Sequence, residues 1–270
     1  MKYSNLIVVQ EKGVCTISLN RPEVFNALNT QIKEELLDAF QSIEKAVCPG
    51  GEPRPDETIR VVVLTGEGNA FCSGQDLKEA QLMQGQKYSD ILRKYYQPII
   101  LSMQNLPVPI VCKLNGLAAG AGCSLALACD MIIAADTAIL SELFIGIGLV
   151  PDAGSGYFLP RMAGRLKAFE LATMGTKVSA EEAQRIGLVN QVVPAAQLNE
   201  TVEKLVHYYT HAPTKTIGLI KKMLQQSYQM TLEEMLNYEA DLQDIANHTE
   251  DHREGLKAFI EKRKPNFQGK

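Results

Sequence analysis

Two uninterrupted apolar runs limit the folds open to this 270-residue chain more than any other feature. One is Val61-Val62-Val63-Leu64 and the other is Ile110-Val111-Cys112 with Leu114. A strand with one wet face alternates apolar and polar residues, whereas a run that is apolar throughout is buried on both faces. Each run ends at a glycine, Gly66 and Gly116, and a helical stretch around 88–104 separates them. Buried strands separated by helices predict an α/β fold with a largely parallel sheet. The length is enough to bury one large core, with or without a smaller helical region.

The flanking segments fit that plan. Residues 6–10 and 14–19 read as a hairpin turning at Lys12-Gly13. Asn29 or Thr30 caps a helix whose apolar residues Ile32, Leu36, Leu37, Phe40, Ile43 and Val47 share one face. Residues 48–58 are rich in proline, glycine and charge and predict an exposed loop. Ser179-Ala180-Glu181-Glu182 is a capping box opening a short helix that ends near Gly187, before a strand at 189–193. From about Glu200 the pattern turns helical, with stretches at 214–227, 232–247 and 252–263.

Bulk composition excludes several function classes. A net charge of −4 gives no basic surface for nucleic acid or an anionic membrane. The first ten residues carry too short an apolar core for a secretory signal, and no run approaches membrane-spanning length. The expected compartment is therefore cytoplasmic. The six cysteines form no C-x-x-C pair and sit in apolar runs, which predicts small buried hydrophobes. All four histidines, 207, 211, 248 and 252, come late in the chain, so no metal site and no histidine-activated nucleophile is expected.

The chemistry concentrates between residues 71 and 154. Phe71-Cys72-Ser73-Gly74-Gln75-Asp76-Leu77 and Ala119-Gly120-Ala121-Gly122-Cys123 each follow a buried strand and open a helix. Such turns aim backbone N–H groups at one place, where a developing negative charge is stabilised. The second turn, with Asp136 beyond it, also mimics a dinucleotide fingerprint. Against that reading, Leu125 stands where the third glycine belongs, and the helix before Met131 is too short. Pro151-Asp152-Ala153-Gly154 puts one carboxylate on a third tight turn. It either carries a proton or simply caps the helix that begins near Ser155.

Taken together, Asn20-Arg21-Pro22, Asn26-Ala27-Leu28, the two glycine turns, Asn115-Gly116, Leu149 through Gly154, and Arg253-Glu254-Gly255 with Phe259 resemble the crotonase (enoyl-CoA hydratase/isomerase) superfamily. The match runs in order along the whole chain. The resemblance implies a spiral of β-β-α units over residues 1–199 and a helical trimerisation region over 200–270. It also implies a homotrimer or hexamer, an acyl-CoA thioester substrate, and no cofactor beyond the CoA that belongs to the substrate.

In the hydratases of this family two glutamates handle water; those positions fall here on Ser124 and Phe144. Glu142 is not a displaced copy and is expected to be a solvated charge at a strand end. Asp152 matches the single carboxylate that family isomerases use to move a proton, and the pattern around it resembles the ring-epoxide branch. The same aspartate suits Δ3,Δ2-enoyl-CoA isomerisation. Dehalogenation by a related aspartate needs a tryptophan, which this chain lacks.

The resemblance assigns the oxyanion hole to the N–H groups of Gln75 and Ala121. It assigns substrate contacts to Ser73, Gly74, Asp76, Leu77, Gly120, Ser124, Phe144 and Pro151. CoA is contacted through backbone near Val24 and Ala27, and by Phe259 and Lys262 from the C-terminal region, often that of a neighbouring subunit. Glu23 replaces a family lysine near the CoA phosphates. Tyr157, Phe158 and segment 79–100 are expected to shape the acyl pocket, with residues 82–96 as a lid.

Overall fold

A computed structural model describes residues 3–47, 58–82, 85 and 87–270. Most of the expected loop at 48–58, and residues 83, 84 and 86 of the expected lid, lie outside them. Strands β1 (Leu6–Glu11) and β2 (Val14–Leu19) form the predicted hairpin. Both turn residues, Lys12 and Gly13, have positive φ, as a tight hairpin turn requires. Helix α1 (Thr30–Val47) is capped by Asn29, whose Oδ1 accepts the Ile32 N–H at 2.9 Å.

A pattern of two strands and a helical stretch then repeats. It begins with β3 (Val61–Gly66), β4 (Ala70–Cys72) and α2 (Leu77–Leu82). A longer helical stretch follows, α3 (Tyr88–Ile91), a π turn at Leu92–Tyr96, and α4 (Gln97–Asn105). Next come β5 (Ile110–Leu114), β6 (Leu117–Ala119) and α5 (Ala121–Leu127). The third unit is β7 (Met131–Ala135), β8 (Ile139–Ser141), a 3₁₀ turn at Leu143–Ile147, and α6 (Ser155–Met162). Helix α7 (Gly164–Met174), β9 (Val178–Ser179), α8 (Ala180–Arg185) and β10 (Gln191–Val193) close the core. Four longer helices end the chain: α9 (Leu198–Thr210), α10 (Thr214–Gln226), α11 (Leu232–Asn247) and α12 (Glu250–Ile260).

In each unit the first strand joins a six-stranded sheet of order β1-β2-β3-β5-β7-β10, parallel except for the opening hairpin. The second strand joins a four-stranded sheet of order β4-β6-β8-β9. This is a spiral of β-β-α units, and the chain leaves the small sheet at one edge after each turn. The continuous apolar runs now have their reason. Val62, Leu64, Cys112 and Leu114 face the spiral interior with Phe40 and Phe71. Val61, Val63 and Val111 point the other way, against Leu198, Val202 and Val206 of α9. The expected division at 199/200 falls inside α9 (Leu198–Thr210), whose Leu198, Val202 and Val206 pack on the large sheet.

The cysteines and two of the histidines singled out in the sequence have these locations. Cys15, Cys72, Cys112, Cys123 and Cys129 are free and buried, and Cys48 lies outside the described residues. His207, in the last turn of α9, and His211, its C-cap, have ring centres 4.3 Å apart with the rings tilted by 45°. No metal-ligand cluster exists among the described residues, and no helix there is long and apolar enough to cross a membrane. Asp136 accepts the Ala195 N–H at 3.0 Å, a local capping role. The dinucleotide reading fails because β6, in a different sheet, intervenes between β5 and the glycine turn.

Candidate active site

The two glycine turns meet because β4 and β6 are parallel neighbours, so their C-terminal ends lie side by side. Contact is closest at two glycines. A Cβ at Gly74, where φ is +93°, would sit 2.7 Å from the Ala119 carbonyl oxygen and 3.3 Å from the Ala121 nitrogen. A Cβ at Gly122 would sit 2.3 Å from the Cys72 carbonyl oxygen. No side chain fits at either point.

Both expected N–H donors are left over by the local hydrogen bonding. Leu28 donates to the Gly74 carbonyl (2.7 Å), and Asp76 donates to the Leu28 carbonyl (3.1 Å). The Gln75 N–H between them therefore faces the opposite way. The Ala121 N–H is the first of α5 and has no acceptor within its helix.

A cavity of about 430 Å³ opens in front of these turns. Ser73, Gly74, Gln75, Leu77, Gly120, Ala121, Phe144 and Asp152 line it, as do Tyr88, Ile91, Tyr96, Leu143, Ile147 and Leu149. Asp152 is the only carboxylate among these described lining residues. The capping alternative for it is overturned. The N-cap of α6 is Gly154, without a side-chain cap, and the Ser155 N–H bonds the Asp152 carbonyl rather than its carboxylate. Asp152 Oδ1 is buried with no hydrogen-bond partner among the described residues. Burial pushes this carboxyl up to about 6, against the pull of the Lys33 charge.

Ser124 does not reach the cavity. It is fully buried, and its Oγ donates to the Asp152 carbonyl at 2.9 Å. That Oγ also lies 2.7 Å from Ser155 Oγ, which is 2.9 Å from Glu142 Oε1. The expectation of a solvated Glu142 is wrong: the residue is 3% exposed. The 3₁₀ turn after β8 folds its side chain inward, and burial pushes its carboxyl up to about 7. Hydrogen bonds from Ser155 and Cys123 hold it lower, while the Asp152 charge adds to the rise.

Val24, Ala27, Ser73 and Asp76 come together beside the first turn. Arg21 bonds the Ala27 carbonyl and the Asp76 carboxylate (3.0 Å), and Ser73 Oγ donates to the Val24 carbonyl at 3.3 Å. The arginine pulls the Asp76 carboxyl down, although burial opposes it most. Pro151 precedes Asp152 without lining the cavity. Of the pocket-shaping pair, Phe158 is buried beneath Gly154, and Tyr157 stacks on Arg161 with 3.5 Å between guanidinium and ring centre. Neither lines the cavity, whereas Tyr88, Ile91 and Tyr96 of the 79–100 segment do. Phe259, 83% exposed, and Lys262 lie at the end of α12, outside the cavity lining of this chain.

Sequence reasoning missed Lys33, which is fully buried on α1. A signal existed, because position 33 shares the apolar face of Leu36 and Phe40 at helical spacing. Tyr96 was hidden inside the lid segment; its hydroxyl donates to Gln75 Oε1 at 2.5 Å.

A β-β-α spiral with two backbone donors and one carboxylate at a shared pocket defines a class of acyl-thioester enzymes, and comparison with known proteins agrees. The enoyl-CoA hydratase/isomerase family profile matches residues 9–270. The chain is similar to the 1,2-epoxyphenylacetyl-CoA isomerase of Escherichia coli, 39% identical over 96% of this chain and 97% of that protein. It is also similar to the crotonyl-CoA hydratase of Syntrophomonas wolfei, 31% identical over the full length of both. The crystal structure of an enoyl-CoA hydratase from Bacillus anthracis superposes with a TM-score of 0.87 at 34% identity, covering 99% of this chain and all of that one. The chain belongs to the enoyl-CoA hydratase/isomerase family and is an enzyme of its acyl-CoA isomerase/hydratase type.

Proposed function

We propose that this enzyme is an acyl-CoA isomerase with Asp152 as its single proton carrier, acting on 1,2-epoxyphenylacetyl-CoA to form the oxepin-CoA. One observation carries the reading: among the described lining residues the cavity holds one carboxylate, Asp152, with Oδ1 buried and unpartnered there, where the family's hydratases need two. The thioester oxygen lies against the Gln75 and Ala121 N–H groups. Asp152 takes the proton next to the thioester, the two donors hold the enolate, and the same acid returns the proton to a carbon further along. In the ring epoxide this proton shift accompanies expansion to the seven-membered ring, so no atom is gained or lost. Tyr88, Tyr96 and Phe144 give the cavity flat walls that suit a ring. CoA would run past Val24 and Ala27 toward Phe259 and Lys262 of a neighbouring subunit, in a homotrimer or hexamer within the cytoplasm. No separate cofactor takes part.

Mass-spectrometric identification of the esters consumed from a panel of ring-epoxide, 3-enoyl and 2-enoyl CoA thioesters tests this. The ring epoxide should isomerise fastest. Consumption of only the 3-enoyl ester would make the enzyme a Δ3,Δ2-enoyl-CoA isomerase with the same base. Hydration of crotonyl-CoA should be orders of magnitude slower than in a dedicated hydratase. Hydration near the diffusional ceiling would refute the single-base reading. Binding of the esters without turnover would leave an acyl-CoA-binding subunit.

A further inference from the structure

Lys33 is an expensive residue to bury without a direct ionic partner. It is fully buried on α1 and makes no ion pair among the described residues. Its Nζ donates to Gln75 Oε1 at 3.0 Å and lies 5.0 Å and 5.2 Å from the ring centres of Tyr95 and Tyr96. The same Oε1 accepts the Tyr96 hydroxyl, so Gln75 is clamped from two sides by groups on different elements. Gln75 also lines the cavity, and its N–H points away from the Leu28 pairing.

We propose that Lys33 is a positioning residue of this site: with Tyr96 it fixes Gln75, and its buried positive charge lies one side chain behind the N–H that meets the thioester oxygen. The inference rests on the enolate-forming reading above. A cation there stabilises an enolate that forms only during reaction, and a low-dielectric setting strengthens the effect.

The surroundings favour the charged form. Asp152, Asp76, Glu79 and Glu34 all favour the Lys33 ammonium, against desolvation that lowers its pKa. Asp76 is already held by Arg21, Glu79 accepts the Thr30 N–H and Glu34 is exposed, which leaves Asp152 as the half-buried carboxylate whose Oδ1 has no closer partner among the described residues. Tyr88, Tyr96 and Glu142 are the other titratable groups that sense the Asp152 charge. A simple structural tether would need no charge and would not influence a titration across the pocket.

Lys33→Met tests the difference, because it keeps the chain length of the side chain and removes the ammonium. The variant should melt at or above the wild-type temperature, since an unpaired buried charge is gone. Its kcat should fall at least about tenfold with KM little changed. The acid limb of its pH profile should move up by about one unit, as Asp152 loses a positive neighbour. Tyr96→Phe, which removes only one clamp, should lower kcat less and leave the acid limb in place.

Wild-type kcat and an unmoved acid limb in Lys33→Met would overturn the inference. So that the inference can fail separately from the isomerase reading, the Asp152 carboxyl is also titrated by carbon-13 NMR in both proteins, its resonance assigned by its loss in Asp152→Asn. That midpoint needs no substrate. It should rise in Lys33→Met, and an unchanged midpoint overturns the inference even if wild-type enzyme consumed none of the esters.

Discussion

The turn that carries Asp152 separates two layers built from similar polar groups and hydrogen-bonded to different extents. In front, beside the cavity, Asp152 Oδ1 has no hydrogen-bond partner among the described residues, and the Gln75 and Ala121 N–H groups are not taken up by the local backbone pairing. Behind, Ser124, Ser155 and Glu142 are joined oxygen to oxygen up to the Asp152 carbonyl. Proton counting explains the rear layer. If Glu142 is protonated, each hydroxyl donates once in a single direction, from Glu142 through Ser155 and Ser124 to the carbonyl. If Glu142 is ionised, Ser155 donates to it and Ser124 to the carbonyl, and the 2.7 Å contact between the two hydroxyls has no proton. The upward pKa shift of Glu142 agrees with the protonated form. The rear layer is thus a bonded chain that leaves Glu142 Oε2 without a partner among the described residues, whereas in the front layer Asp152 Oδ1 has no such bond at all there.

Asp152→Asn breaks the front layer with the largest effect. Turnover should fall by about 10²–10⁴, the usual contribution of a general base, while CoA-ester binding survives. Stability should not fall. A carboxyl raised from its ordinary 3.8 to about 6 stabilises the fold below the lower value, and that stability is lost as pH rises through the upper one. The amide cannot ionise, so thermal melting at pH 8 should favour the variant over wild type. Wild-type turnover in the variant would remove Asp152 from the chemistry.

Gly74→Ala attacks the same layer through the backbone. The new Cβ at 2.7 Å from the Ala119 oxygen must push the two turns apart, at a residue whose φ already disfavours alanine. We expect kcat to fall about 10²-fold through lost oxyanion geometry, with a folded protein by circular dichroism. Unchanged kcat would separate the two turns from catalysis.

The rear layer should answer in stability first. Glu142→Leu removes the carboxyl that bonds Ser155 and should cost about 1–3 kcal/mol in denaturant unfolding, with a severalfold loss in kcat. Glu142→Gln can still donate to Ser155 and should have the smallest effect of all. Its signature is in pH dependence. Wild-type protein should lose stability as Glu142 ionises, between its ordinary 4.5 and about 7, and the Gln variant should lack that component. Equal pH slopes in the two proteins would count against a protonated Glu142.

Local regularities in the chain determined much of this. Uninterrupted apolar runs at 61–64 and 110–112 required covered parallel strands, because backbone pleating sends alternate side chains to opposite faces. The glycines at 74, 120 and 122 announced close-packed turns, and Asn29 announced a helix start. The repeated motifs carried the family and marked Asp152. Tertiary structure alone decided which side chains share the pocket. Lys33, Gln75, Tyr96 and Asp152 come from four separate segments, two helical and two in turns, and Glu142 reads as a surface charge until the turn after β8 folds it inward. The physical reason is desolvation. A side chain's cost and pKa are set by everything packed around it, and most of those atoms belong to residues far away along the chain.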